Sequence, residues 1–340
     1  MTAASRQTTV FALTTAVLIL AGAGCLLAGA ADIPPGAILD IITGHGSGNQ
    51  AWDYIVLETR LPALATAALA GMALSVAGLL MQTTFDNPLA GPSILGISAG
   101  SSLGVAIVIM ALGAVVGLWS RAAVVAGALA GALAVMLLLT VMSALLRSST
   151  MLLIVGILIG YLASSAISLL NFFATRESVH TFVIWGLGSF GGVTSTELPA
   201  FAALTAAPAL LSALYAKALN ALLLGERYAA SAGVSIRATR RGLLLLSGAL
   251  TAVVTAWCGP VGFIGLVVPH ISRLALHTSD HRRLLPASAL IGAAVGVVCL
   301  LACIAPGPRG IIPLNAVTPV IGVPVIIYII VRRRSIFYFN

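Results

Sequence analysis

Apolar positions in this chain come in long runs separated by short polar breaks, the pattern of helices that cross a bilayer. Runs near 10–30, 62–82, 94–114, 121–145, 151–173, 197–219, 242–258, 263–277, 285–304 and 317–332 predict ten spans. About 20 apolar residues in a helix cover the roughly 30 Å hydrocarbon core of a membrane. Two of the ten are irregular: Ile94 to Trp119 is interrupted by glycines and serines, and the run from Phe263 is short and carries His270 and Arg273. The first run follows Arg6 as a signal peptide would, but it is long enough to span and further spans follow at once. It is therefore read as the first membrane helix.

Composition narrows the class. Of 340 residues 60% are hydrophobic and 8% charged, against about 25% charged in soluble domains, and mean hydropathy is +1.11. The expectation is an all-α polytopic membrane protein of about ten transmembrane helices, folded as one transmembrane domain over 1–340, with membrane lipid as its surroundings. Its 35 glycines predict a tightly packed bundle, because small residues let helix backbones approach closely.

Charge then orients the bundle. With the N-terminus inside, all of the 17 Lys and Arg except Arg60, Arg121, Arg176 and Arg309 fall on the cytoplasmic side, which predicts cytoplasmic termini. The net charge of +8 is thus a topology signal; no basic run interleaves with aromatics as in a nucleic-acid surface, so no nucleic-acid partner is expected. The predicted external segment from Ala31 to Arg60 carries Asp32, Asp40, Asp53 and Glu58 against Arg60 alone.

Catalytic patterns do not appear. There is no G-x-x-x-x-G-K-[ST] or H-E-x-x-H, and the nine acidic residues and five histidines are scattered. No enzymatic activity and no cofactor or metal site are expected in the chain; active transport would draw its energy from a partner. Cys25, Cys258, Cys299 and Cys303 lie in or beside apolar runs without a C-x-x-C pair and read as inert core residues. The longest cytoplasmic segment, ALLLGERYAASAGVSIRATRR at 221–241, is divided by Gly225 and Gly233, with Glu226 and Arg227 starting one short helical piece and Arg237, Arg240 and Arg241 closing another. Periodicity leaves two readings open: short helices that dock into a groove of a cytoplasmic partner, or a basic connector held at the anionic leaflet.

Five stretches in order decide between them: residues 58–104, beginning ETRLPALATAALAGMALSVAG; WGLGSF at 185–190; ALLLGERYAASAGVS at 221–235; GPVGFIGLVVPH with DHRRLLP over 259–286; and TPVIGVP at 318–324. Together they resemble the membrane subunits of type II ABC importers for ferric siderophores, haem and vitamin B12, often called the FecCD permeases. The resemblance covers most of 58–334. It implies a bacterial plasma (inner) membrane protein working as a homodimer of ten-helix subunits, with the translocation path at the dimer axis. It also implies two cytoplasmic ATP-binding subunits that carry ATP-Mg, and a periplasmic or surface substrate-binding protein. By position, Leu223, Leu224, Gly225, Glu226, Arg227, Ala230, Gly233 and Val234 match the family's ATPase-coupling helices. Arg60 matches the first arginine of its R-L-P-R, which implies docking of the binding protein; a buried arginine satisfied by local carbonyls is the alternative.

Three departures from the family pattern stand out. The second arginine of R-L-P-R is Ala63. An Ala-Asp pair late in the ninth span is Ala302-Cys303, followed by Arg309 as a substitute docking charge. Glu-Leu-Pro-Val-Gly becomes Ile311-Ile312-Pro313-Leu314-Asn315, losing a carboxylate and gaining an amide. Met72, Leu80, Met81 and Ser98 are candidates for lining the path. His270 reads as a structural histidine in a broken helix rather than a metal ligand, and Asp86, Asn87 and Pro88 as a helix stop. A stand-alone secondary transporter or channel is the competing class, disfavoured because the confident spans hold almost no ionisable residues.

Overall fold

The computed structural model describes residues 3–112, 121–146 and 148–332. Arg147, Arg333 and Arg334, counted in the charge asymmetry, and the end of the third predicted span lie outside them. Among the described residues ten apolar helices form a bundle, seven of them long and apolar enough to cross a membrane and three shorter. They are α1 (Ala3–Leu27), α4 (Leu61–Thr84), α5 (Ile97–Ala106), α6 (Arg121–Leu145), α7 (Ser149–Phe173), α9 (Leu198–Ser212), α12 (Ile236–Cys258), α13 (Ile264–Leu276), α14 (His281–Ile304) and α15 (Leu314–Arg332). Each predicted span has its helix. Shorter helices join them: α2 (Pro35–Ile42) and α3 (Gln50–Tyr54) before α4, α8 (Arg176–Gly186), α10 (Ala216–Leu222) and α11 (Glu226–Ser231).

Several boundaries differ from the hydropathy pattern, each for a local reason. Helix α3 runs through a π-helical turn, Ile55–Arg60, straight into α4, and the turn lies where Pro62 has no N–H to continue the regular ladder. Helix α14 starts four residues before the apolar run, since Asp280 caps it by accepting from the Arg282 N–H at 3.0 Å. Arg237, Arg240 and Arg241 do not close a second short helix as expected; they form the first turns of α12. Long cationic stems extend a membrane helix past its apolar stretch while their heads reach the interface.

Helix α4 is the axis of the subunit. Every residue from Ala73 to Thr84 is buried, against α14, α12, α13 and α9. Backbone contacts at glycine make this possible. A Cβ added at Gly71 would lie 2.1 Å from the Gly292 carbonyl oxygen of α14, and one at Gly78 would lie 1.7 Å from that of Gly265 in α13. Gly100 and Gly104 of α5 meet Gly131 and Gly127 of α6 in the same way. Buried hydroxyls join the helices further: Ser75 donates to the Ser288 carbonyl at 2.7 Å and Ser101 to that of Ala128 at 3.0 Å. The outer helices instead expose large apolar side chains, including Leu162, Phe172 and Leu210, as lipid or a second subunit requires.

Candidate functional site

The segment 221–241 sits at the end of the bundle where α7 and α14 begin and α4 stops. Helix α10 ends at Leu222, Leu223 and Leu224 turn, and Gly225 breaks the chain at φ 97°, a conformation that side chains resist. Helix α11 then makes barely two turns before Gly233, at φ 85°, breaks it again. Ala229 faces inward and is fully buried, and the Val234 N–H closes the turn on its carbonyl at 3.0 Å. Leu224, Arg227, Tyr228 and Ala230 face outward.

Charge fastens this small helix to the bundle. Glu226 pairs with Arg240 of α12 at 2.5 Å, and Ser149, at the start of α7, donates to Glu226 at 3.1 Å and accepts from Arg240 at 2.7 Å. The Arg240 side chain is 6% exposed, so its charge depends on these partners. Ahead of the segment stands a second fastening. Asn220 of α10 donates to Asp280 at 2.6 Å, and its amide oxygen faces both the backbone N–H and the ring Nδ1 of His281, at 2.8 and 2.9 Å. The ring's other nitrogen meets the Thr83 hydroxyl of α4 at 2.8 Å. The Asn220 amide, with the Arg282 N–H and the charges of Arg282 and Arg283, holds the Asp280 carboxyl below the usual carboxylate range against the opposing effect of burial.

At the opposite end Arg60 and Arg309 fare differently. Arg60 is 9% exposed, and its guanidinium donates to the carbonyls of Leu26, Leu27 and Ala31, where α1 frays. That is the geometry of a buried structural arginine, one that stitches the end of α1 to the start of α4. Arg309 lies exposed in a short 3₁₀ turn, Gly307–Arg309.

A matching family covers nearly all of this architecture: the model described as FecCD transport family fits residues 15–332. The chain belongs to the FecCD transport family. The hemin transport system permease protein HmuU of Yersinia pestis is 35% identical over 298 residues, 85% of this chain and 86% of that protein. The vitamin B12 import system permease protein BtuC of Vibrio cholerae is 37% identical over 293 residues, 84% and 86% of the two chains. A solved structure described as an inward-facing metal-chelate type ABC transporter superposes with a TM-score of 0.84 at 25% identity, covering 96% of this chain and 99% of that one.

As a FecCD permease the chain places the remaining candidates as follows. Leu80 and Met81 are fully buried within the subunit, Ser98 is 9% exposed with its hydroxyl 3.3 Å from that of Thr255, and Met72 is half-buried. Leu80 and Met81 on α4 and Ser98 on α5 pack inside the subunit, and of the four only Met72 presents part of its side chain to the subunit's surface. His270 bonds the Pro88 carbonyl at 2.8 Å, and the Asn87 side chain accepts from the Leu89 N–H at 2.9 Å; both hold the chain where it leaves α4. The four cysteines are buried thiols. Among the described residues no cluster of three His, Cys, Asp or Glu is placed to hold a metal.

Asn315 has more to do than its place among the family departures suggested. Its amide nitrogen donates to the carbonyls of Gly186 and Pro260, at 3.0 and 2.6 Å, and its backbone N–H to Leu187. The end of α8 and the broken segment after α12 converge on this one side chain in the first turn of α15. Non-helical backbone inside a membrane bundle needs such partners. Neither Ser149, Asn220, Thr83 nor Asn315 was singled out from sequence for these contacts; an isolated polar residue at a helix end carries no pattern.

Proposed function

We propose that the chain is the permease subunit of a bacterial ATP-driven importer for an iron chelate (a ferric siderophore), haem or cobalamin. It works as a homodimer in the inner membrane, with two ATP-binding subunits carrying ATP-Mg at the cytoplasmic end that bears 221–241 and a substrate-binding protein at the other. The cargo range follows from relatives named for haemin and vitamin B12. One observation supports the mechanism most: α11 stands at the end of the bundle with Leu224, Arg227 and Tyr228 exposed, while Glu226, Ala229 and Arg240 tie its other face inward. A short helix held in this way fits a groove in a partner and passes displacement to the spans.

Substrate released by the binding protein then enters a path between subunits that holds it weakly, and ATP binding and hydrolysis below alternate the access. Replacing both Ala229 and Ala230 by proline removes the N–H of Ala229 that bonds Gly225. The expected result is membrane-inserted permease with ATP hydrolysis no longer stimulated by the binding protein. Normal stimulation in a correctly inserted double variant would remove the segment from the coupling role.

A further inference from the structure

The inference rests on the importer reading and names the residues through which α11 reaches the core. We propose that Asn220, His281 and Thr83 form a relay carrying displacement of 223–235 into the last turn of α4, with His281 as the positioning residue at its centre. Asn220 stands three residues before Leu223, on the same short helix that leads into the segment. An amide oxygen only accepts, so both the backbone N–H and Nδ1 of His281 donate to Asn220. The neutral ring is then left with Nε2 as an acceptor for the Thr83 hydroxyl at 2.8 Å, which shares its one proton with the Leu79 carbonyl of its own helix at 3.1 Å. Every link has one donor and one acceptor, and His281 is fully buried, so no water competes for them.

The far end of the relay is the point where motion at the cytoplasmic side matters most. Thr83 lies one residue from the end of the central helix, and the chain leaving it is held by the His270 contact to Pro88. Its neighbour Gln82 accepts from Arg273 at 2.6 Å and donates to the Leu266 carbonyl at 3.1 Å, both in α13. A shift of α10 thus reaches α4, α13 and α14 at a single turn. The other fastening of the segment, Glu226 with Arg240 and Ser149, leads to α12 and α7 instead.

Hydrogen exchange on the permease–ATPase complex in nanodiscs, nucleotide-free and trapped with ATP and vanadate, tests this. In the wild type, trapping should alter exchange in peptides covering 223–235 and 82–92. Thr83→Val, which keeps the shape and removes the hydroxyl, should retain the change at 223–235 and lose it at 82–92; Thr83→Ser should keep both. Asn220→Ala should have the same effect as Thr83→Val, with the double variant no worse than either. An unaltered response at 82–92 in Thr83→Val, or loss of both responses, overturns the relay alone. Absence of any response at 223–235 in the wild type overturns the coupling role of the segment and the relay with it.

Discussion

Two side chains show how much a single polar group decides inside a membrane bundle. Glu226 is half exposed, yet it is the carboxylate partner of an arginine that is not. Glu226→Ala leaves Arg240 with Ser149 alone, so stimulated ATP hydrolysis should fall several-fold while the protein remains inserted. Adding Arg240→Ala should cost little more, because the two act as one contact; an additive loss in the ATPase assay would separate them. Asn315→Leu is a different test, of stability. It orphans the carbonyls of Gly186 and Pro260, at about 1–3 kcal/mol each, and should lower the thermal midpoint by several degrees in detergent, whereas Asn315→Gln should recover part of the loss.

Among the elements, glycine contacts predict a sharp contrast between positions of the same residue type. Gly78→Val drives side-chain atoms into the backbone of Gly265; with overpacking already costing about 1–3 kcal/mol where a core can yield, the variant should fail to give a monodisperse peak on size exclusion. Gly36→Val, with open space around its backbone, should elute as the wild type does. The ten spans were legible because hydropathy is a sum over 20 residues and tolerates error in any one. The breaks at Gly225 and Gly233 were legible because glycine is where backbone turns left-handed. The Arg240 contact at the start of α12 and the convergence on Asn315 were not, since each depends on a partner 14 to 129 residues away. Leu80 and Met81 illustrate the same limit: hydropathy marks both as apolar without showing that they are fully buried in the subunit.

For the whole molecule, two arginines at one end of the bundle carry opposite expectations for charge. Arg309 is exposed, and Arg60 is committed to the carbonyls that end α1. Close interfacial charge pairs couple by roughly 1.5–7 kcal/mol, so Arg309→Glu should weaken binding-protein association in nanodiscs by tenfold or more. Arg60→Glu should act first on the fold, lowering the yield of inserted protein, because it sets a carboxylate against three carbonyl oxygens. Equal yields with weaker association for Arg60→Glu would restore that residue to the interface. Where α4 crosses its neighbours, at Gly71 and Gly78, no side-chain layer separates the backbones. Along α14 the contact runs on from Ala67 to Ser75, so these helices are keyed together like a rack and pinion with no clearance: sliding one along the other would drive peptide into peptide.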